Sequence, residues 1–215
     1  AIDNSLDGKL INIYFEAAMG KATVFINGKQ VMEHLGGYLP FSIELTQYGV
    51  KAGEKCLIAV LVDNSDDKSY PPGKKQTTLD FTYHGGIYRD VWMIATSKIH
   101  ISDPNKAAKA ACGGVFVQYG EISKKKAEIL VSTDVINEND KNQNITVENK
   151  IADKNGKVIK TLRSKVNLKA GESKQIVQKA TIENPTLWYP DAPYLYNVET
   201  QLTANNTTLD GGITR

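Results

Sequence analysis

Cysteine is scarce in this sequence: of 215 residues, only Cys56 and Cys112 carry a thiol. They lie far apart and in no metal-ligand spacing, so they are either free thiols or one disulfide bridge, and the redox compartment stays undetermined. Cys56 stands in an apolar run, where a small buried thiol is expected. The three histidines are too scattered to form a metal site with one another or with a cysteine. No metal ion and no cofactor is expected.

The sequence also lacks an excess of charge of one sign, with 26 basic residues against 24 acidic ones and a net charge of +2. Proteins that bind nucleic acid concentrate positive charge on one surface, so no nucleic-acid partner is expected. No apolar run approaches the roughly 20 residues that cross a bilayer, so no membrane-spanning segment is expected either. No leader is visible near residue 1, but one could have been removed. The localisation therefore stays open between the cytoplasm and the periplasm or exterior.

What the sequence does contain is a pattern of β-strands with almost no helix. Its 41% hydrophobic and 23% charged residues are typical of a soluble globular protein, with room for one large domain or two ordinary ones. The strongest local signal is Asn27-Gly28 between the runs 23–26 and 29–32. Both central residues of a type I′ turn need positive φ, which Asn and Gly tolerate best. A β-hairpin is predicted there, preceded by a strand at 10–15.

Three further apolar runs complete the first half of the chain. Residues 41–45 alternate with period two, which predicts a strand with one buried face and one exposed face. Residues 56–62 are nearly all apolar, which is typical of a central strand covered on both faces. Residues 91–95 form the last predicted strand of this half.

The second half follows a polar segment. Residues 102–112 have little to bury and predict a linker. Short strands separated by Gly- or Asn-rich turns resume after it, and about seven of them in about 100 residues are typical of an immunoglobulin-like sandwich. The predicted strands are 114–119, 127–136, 144–151, 158–168, 173–182 and 196–203. The sequence therefore predicts an all-β protein of two β-sandwich domains, 1–101 and 113–215.

The segment that most suggests chemistry is 83–92. If residues 87–92 are extended, their side chains alternate between two faces, and Asp90 shares one face with Tyr88 and Trp92. A carboxylate between two aromatics suits a sugar, because its oxygens accept hydrogen bonds from hydroxyl groups and the rings contact the apolar face of the sugar. The alternative, which composition alone favours, is that both aromatics pack in a core or domain interface and Asp90 pairs with a cation.

The residues around Asp90 carry a resemblance to a known family. Residues 85–91 resemble the signature near the end of the sugar-binding jelly-roll domain of glycoside hydrolase family 2, which contains β-galactosidases, β-glucuronidases and β-mannosidases. Further segments follow in the order of that family and extend the resemblance over most of the chain. They are 25–29, 36–41, 53–57 and 62–64 in the first half, and 183–190 and 193–196 in the second.

The resemblance implies a galactose-binding-like jelly roll, truncated at its N-terminus, followed by an immunoglobulin-like sandwich. Family members begin the jelly roll several strands before Leu10, and residues 210–215 resemble the segment that leads into a (β/α)8 barrel. That barrel carries the acid/base and nucleophile glutamates of the family and is not in this sequence. Retaining glycosidases need two carboxyl groups about 5 to 5.5 Å apart, and nothing in the sequence argues that Glu16, Asp80 and Asp90 supply such a pair. No catalytic residue is expected, and the chain should be inactive.

Residue by residue, the resemblance assigns one substrate contact and several structural positions. In β-galactosidase-like members, the aspartate that matches Asp90 reaches the active site and contacts the sugar. An asparagine that joins it in some members has no counterpart here. Arg89 is expected to be a structural arginine paired inside the domain, and Trp188 a core residue of the second domain. The other positions assigned to structure are Asn27, Gly28, Gly85, Gly86, Asn184 and Pro185.

The resemblance therefore implies the non-catalytic part of a family 2 exo-glycosidase, β-galactosidase-like, that walls the active-site pocket and positions the barrel. Its expected partners are that barrel and, only weakly, a β-linked sugar. Uncovered apolar surface also leads us to expect homo-oligomers. Two other classes stay open. A free-standing carbohydrate-binding module would bind sugar with a complete groove, and a structural adhesin-type pair of β-sandwiches would give Arg89 and Asp90 no role.

Overall fold

The computed structural model describes residues 1–110 and 113–215, so Cys112 lies outside the described residues. The structure is all-β, as predicted, and forms two compact units, Ala1–Ala95 and Thr96–Arg215. Within the described residues, helix is limited to short 3-10 turns. These turns are Asn4–Leu6, Leu45–Tyr48 and Gln76–Thr78. No helix in the described part of the chain is long and apolar enough to cross a membrane.

The first unit is a sandwich of two three-stranded sheets. Its strands are β1 (Leu10–Phe15), β2 (Lys21–Ile26), β3 (Lys29–Leu35), β4 (Phe41–Glu44), β5 (Ile58–Asp63) and β6 (Val91–Thr96). One sheet has the order β4-β1-β6 and the other β3-β2-β5. Side chains of both sheets, among them Phe15, Val24 and Ile43, form one buried apolar cluster. Cys56 is a free thiol that packs against this cluster, and its partial burial raises its pKa.

The β2–β3 hairpin confirms the prediction made from Asn27-Gly28. Asn27 has a φ of 49° and Gly28 a φ of 82°, the positive values that a type I′ turn requires. Asn27 also reaches beyond the hairpin. Its side-chain oxygen accepts a hydrogen bond from the Leu57 N–H at 2.9 Å, and its own N–H donates to the Leu57 carbonyl at 2.8 Å. The turn residue therefore holds the chain that leads into β5.

Two burial predictions for the first unit are wrong. β4 is buried along its whole length, including Ser42 and Glu44 on the face that was expected to be exposed. The Glu44 carboxylate tolerates this burial because it accepts hydrogen bonds from Thr46 and Gln47, in the following 3-10 turn, at 2.8 and 2.9 Å. β5 is an edge strand, because within the described residues it pairs with β2 alone. Its residues alternate between half-buried and exposed, and Leu61 is 64% exposed. A local apolar pattern cannot report how many neighbours a strand will have.

The second unit is a sandwich of two larger sheets. Its strands are β7 (Ile99–Ile101), β8 (Val115–Ile122), β9 (Lys126–Asn137), β10 (Gln143–Ala152), β11 (Val158–Leu168), β12 (Ser173–Glu183), β13 (Asn197–Ala204) and β14 (Thr207–Thr214). One sheet has the order β11-β10-β13-β14, and the other has the order β12-β9-β7, with β8 also paired to β9. Every strand predicted for this half is present, and the two β-sandwich domains are confirmed.

Two strands of this unit, β7 and β14, were not predicted. Residues 210–215, expected to lead out of the sandwich, lie mostly in β14, which pairs with β13 across a turn at Asn205 and Asn206. Both asparagines have positive φ, 48° and 62°, so this pair was a hairpin signal. β7 pairs with β9, which places residues 99–101 in the sheet of the second unit. The first compact unit ends at Ala95, whereas the sequence predicted that the first domain ends at residue 101.

Candidate functional site

The candidate site lies where connecting segments of the first unit meet at close range. The N–H of Met19, between β1 and β2, donates to the Gly86 carbonyl at 2.9 Å. The N–H of Gly36, after β3, donates to the Gly20 carbonyl at 3.0 Å. These backbone hydrogen bonds join the chain between β1 and β2 to two glycine pairs, Gly36-Gly37 and Gly85-Gly86, which lie in the family-like segments. The segments are therefore held to one another by main-chain contacts.

Glycine is required at this junction because there is no space for a side chain. A Cβ on Gly20 would lie 2.1 Å from the backbone oxygen of Asp63, and a Cβ on Gly85 would lie 2.9 Å from the side-chain amide of Asn64. Gly86 has a φ of 89°, a left-handed conformation that other residues rarely adopt. Glycine thus lets separate parts of the chain approach more closely than any other residue would.

Asp90 lies beside this junction, exposed to solvent and one residue before β6. Its backbone oxygen accepts a hydrogen bond at 3.1 Å from the N–H of Glu16, the residue that follows β1. Its carboxylate forms no hydrogen bond or ion pair with residues 1–110 or 113–215, so the cation partner that composition favoured is not found. A carboxylate in this situation can accept hydrogen bonds from a ligand.

Tyr88 and Trp92 flank Asp90, and their side chains are 40% and 52% exposed. The Tyr88 hydroxyl donates a hydrogen bond to the Gly37 carbonyl at 2.6 Å, and the Trp92 indole N–H donates to the Glu16 carboxylate at 3.0 Å. The hydroxyl of Tyr88 and the indole N–H of Trp92 are therefore satisfied within the protein, while much of each ring surface is exposed to solvent. The extended strand expected to start at residue 87 begins only at β6, after Asp90.

Arg89 is exposed, which corrects the expectation that it is paired inside the domain. Its guanidinium carbon lies 5.9 Å from the centroid of the Tyr88 ring, within the range of a cation–π contact. No ion pair involves it in the part of the chain that the structure describes. The expectation failed because Arg89 precedes β6 instead of lying in a strand with one face toward the core.

Sequence reasoning missed the role of Glu16. Its N–H donates a hydrogen bond to the Asp90 carbonyl, and its carboxylate accepts one from the Trp92 indole N–H. Glu16 is therefore hydrogen-bonded to the first and the last residue of the segment 90–92. The signal that could have found it is the adjacency of β1 and β6 in one sheet, because Glu16 ends the first strand and Asp90 precedes the second. Strand order is a property of the whole fold, and the local pattern does not contain it.

Carboxylates at the end of β5 and in the long connection between β5 and β6 stabilise that connection itself. Hydrogen bonds from the backbone N–H and side chain of Ser65 hold the pKa of Asp63 below its usual value. The hydroxyl and backbone N–H of Ser69 do the same for Asp67. Among the described residues, no group of His, Cys, Asp and Glu is arranged to hold a metal ion.

In the second unit, the family-like segment forms an exposed turn between β12 and β13. Asn184, with a φ of 48°, begins it, and the half-buried Pro185 follows. A bridge between Tyr189 and Ala192 narrows the turn. Trp188 is 54% exposed, so its predicted place in the core is wrong. The reason is that the turn leaves the sheet, and its side chains lie outside the sandwich.

Comparison with known proteins decides the family. The family model described as glycosyl hydrolases family 2, sugar binding domain, matches residues 1–97, and the model described as glycosyl hydrolases family 2 matches residues 113–214. The chain belongs to glycosyl hydrolase family 2. The junction of glycine-bearing segments thus lies in the sugar-binding domain of a family 2 protein.

Family 2 relatives of this chain include enzymes with two named activities. A β-galactosidase of Thermoanaerobacter pseudethanolicus is 34% identical over 209 residues, which are 97% of this chain and 26% of that protein. A β-glucuronidase of Formosa agariphila is 32% identical over 94% of this chain and 21% of its own length. The crystal structure of a Bacteroides uniformis β-glucuronidase has a TM-score of 0.87 at 31% identity, over 99% of this chain and 24% of that one. This family 2 chain therefore spans about a quarter of the length of these relatives.

Proposed function

We propose that this chain is the non-catalytic part of an exo-glycosidase that hydrolyses terminal β-glycosides in carbohydrate metabolism. In that role it walls one side of the active-site pocket and positions the catalytic (β/α)8 barrel, which performs the bond cleavage. The observation that carries the proposal is the exposed Asp90 carboxylate, fixed beside a close-packed junction and without a partner among the described residues. A charge held on such a frame can accept hydrogen bonds from sugar hydroxyls at little cost in ordering.

The charge of Asp90 favours a β-galactoside over a β-glucuronide as the substrate of the whole protein. The relatives carry both names. A glucuronide has a carboxylate where galactose has a neutral hydroxymethyl group. Because Asp90 is itself an anion with no cation paired to it in the described residues, it would repel a nearby glucuronide and accept hydrogen bonds from galactose. Tyr88 and Trp92 offer ring surface to either sugar.

Replacing Asp90 should weaken galactose binding by the isolated chain. We expect a dissociation constant in the millimolar range, because one pocket wall supplies few contacts. Asp90→Asn should raise this constant about tenfold, since a hydrogen bond to a charged group contributes about 1.5–3 kcal/mol. Chemical-shift titrations with galactose, glucuronate and mannose measure the effect. Asp80→Asn, at an exposed position of the same connection, is the matched control and should bind like the wild type.

The same samples distinguish the proposal from its rivals. Equal binding by wild type and Asp90→Asn would contradict the assigned contact. Tight binding of one sugar by the isolated chain would favour a free-standing binding module, and binding of none would fit a structural pair of sandwiches. Hydrolysis of an aryl β-galactoside should be undetectable, and turnover that a substitution in this chain abolishes would overturn the non-catalytic assignment.

We also propose that the isolated chain self-associates through β6. Val91, Trp92, Met93 and Ile94 are consecutive and 41% to 52% exposed, and β6 is the edge of its sheet. The strand contains no lysine and no proline, residues that commonly protect exposed edges from pairing. Two copies can therefore pair along this edge and cover the apolar side chains of each other.

A charge in the middle of β6 should prevent this association. Met93→Lys should convert a concentration-dependent dimer into a monomer, because pairing would bury the ammonium group. Sedimentation equilibrium over about a hundredfold range of concentration measures the two states. Leu39→Lys, at a comparably exposed apolar position outside the strands, serves as the control and should still dimerise. A monomeric wild-type chain at the highest concentration would refute the proposal.

A further inference from the structure

The chain that follows β7 leaves the sheet, and residues at the start and the end of this excursion are hydrogen-bonded to one residue, Asp134 in β9. The Ser102 N–H donates to the Asp134 carbonyl at 2.9 Å, and the Asp134 N–H donates to the Gly114 carbonyl at 2.8 Å. Ser102 is the first residue of the segment 102–112 whose composition predicted a linker, and Gly114 lies two residues after that segment ends. Its two ends are therefore joined through the backbone of a single strand residue.

The side chain of Asp134 strengthens the same connection. Asp134 is only 1% exposed, and its Oδ2 accepts a hydrogen bond from the Ser102 hydroxyl at 2.6 Å. The Ser102 oxygen in turn accepts a hydrogen bond from the Gly114 N–H at 3.0 Å. A buried carboxylate thus fixes the start of the segment directly and its end through one hydroxyl group.

The charge of Asp134 is balanced by a residue of the segment itself. Lys109 Nζ lies 2.7 Å from Asp134 Oδ1 and donates to the Ser173 hydroxyl, also at 2.7 Å. Within residues 1–110 and 113–215, no other cation is paired with Asp134. A buried carboxylate that loses its only cation is strongly destabilised, because the charge then lacks both solvent and a counter-charge.

The segment 103–110, which we name the arm, also has internal order. The N–H groups of Lys106 and Ala107 donate to the Asp103 carbonyl at 3.0 and 2.9 Å. A Cβ on Gly113 would lie 2.8 Å from Pro104 Cα and 2.9 Å from Ala107 Cβ, so the returning chain packs tightly against the arm. The arm is therefore a folded element, which an extended spacer would not be.

We infer that Lys109 is a latch that holds the arm against the second unit through the buried carboxylate of Asp134. With the pair intact, the arm is an ordered part of the sandwich. With the pair broken, the arm detaches while the sheets stay folded, because the backbone bonds of β9 to its neighbouring strands do not depend on Lys109. Regions that open locally in this way have free energies of opening well below that of global unfolding.

Amide hydrogen exchange of the whole chain, followed by mass spectrometry, tests the latch. Lys109→Met should increase exchange about tenfold or more in peptides from 103–110, because a hydrogen bond between charged groups is lost. Exchange in β9 and β12 should stay unchanged. Lys109→Arg should restore protection, and Asn105→Ala, an exposed side chain within the arm, should leave it intact. Because the Asp134 carboxylate is buried although the Lys109 side chain is 35% exposed, salt should screen this pair less than a pair on the surface, and raising NaCl from about 0.1 M to about 0.5 M should leave most of the wild-type arm protected.

Asp134→Asn keeps an oxygen for Ser102 and removes the charge that Lys109 neutralises, so it should release the arm as Lys109→Met does. The double variant should exchange no faster than either single variant, because both break the same interaction. Wild-type protection in Lys109→Met, or an unprotected arm in the wild type, would overturn the latch. Equal acceleration in the arm and in β9 would overturn it as well, and so would failure of both single variants to fold, because Lys109 would then be needed for folding of the whole unit.

Discussion

Replacing Gly20 with alanine should leave the first unit unable to fold stably. The new Cβ would lie 2.1 Å from the Asp63 backbone oxygen and 3.0 Å from the Asn64 Cα, so the main chain itself would have to move. Gly20 also has a φ of 87°, a conformation that costs other residues about 1–2 kcal/mol. Collision and strain together should remove about 4 kcal/mol, a large part of the stability of an ordinary domain.

Gly28→Ala separates the strain from the collision. Gly28 has nearly the same φ, 82°, but a Cβ there would meet nothing within 4 Å. Its replacement should therefore cost only about 1 kcal/mol. Urea unfolding followed by Trp92 fluorescence measures both variants in a Trp188→Phe background, where Trp92 is the only tryptophan left. Equal destabilisation by the two substitutions would show that backbone conformation alone requires glycine at position 20.

The Gly20→Ala substitution should also disturb the candidate site around Asp90. Met19 precedes Gly20 and is bound through its N–H to the Gly86 carbonyl, a few residues before Asp90. A displaced β1–β2 connection would strain that bond and the adjoining chain. The junction thus has two consequences for the molecule: it stabilises the first sandwich, and it fixes the place from which the Asp90 carboxylate can meet a ligand.

The features that were best predicted from the sequence are those set by residues adjacent in the chain, namely turns and strands. Asn27-Gly28 defined a hairpin because the turn needs positive φ at both positions, and the structure has it. The strands of the second half were recognised because polar turns interrupt apolar runs of strand length. The turn at Asn205 and Asn206 carried the same kind of signal and was overlooked. Local sequence patterns were therefore sufficient to predict nearly every strand of the fold.

What depends on distant residues could not be predicted. The apolar run around Leu61 gave no sign that β5 would be an edge. Trp188 and Arg89 were assigned to internal positions, but both lie outside the strands and are exposed. Glu16 meets the residues around Asp90 only because β1 and β6 are neighbours in a sheet. In each case the missing information was which parts of the chain become neighbours.

The second unit contains a buried polar network whose disruption should have the other large effect. Asn149 in β10 is fully buried, and its side-chain amide donates to Thr133 at 3.1 Å and to Gln178 at 2.8 Å. Its side-chain oxygen accepts a hydrogen bond from the Thr200 hydroxyl. Gln178 also donates to the Ser164 hydroxyl at 2.9 Å. These residues come from both sheets, so the network connects the two sheets through the core.

Asn149→Leu should lower the free energy of unfolding of the second unit by about 3 kcal/mol. Leucine is similar in size but removes the hydrogen bonds that Asn149 makes to three buried oxygen atoms, Thr133 Oγ1, Gln178 Oε1 and Thr200 Oγ1, and each such loss costs about 1–3 kcal/mol before the structure relaxes. For a unit of this size the melting temperature should fall by about 10 °C, as calorimetry would show. Asn144→Leu, at an exposed position of the same strand, is the control and should change stability by less than about 0.5 kcal/mol.

Adding Gln178→Leu to Asn149→Leu tests whether the polar groups or the shape of the core sets this cost. The Asn149 and Gln178 side chains are hydrogen-bonded to each other, so each single variant leaves the other amide without this partner. The double variant removes both amides and therefore avoids that cost. The double variant should therefore be less destabilised than the sum of the single variants, with a coupling of about 1 kcal/mol or more. Strict additivity would mean that the lost stability comes from packing, and that the network does not act as a unit in connecting the sheets.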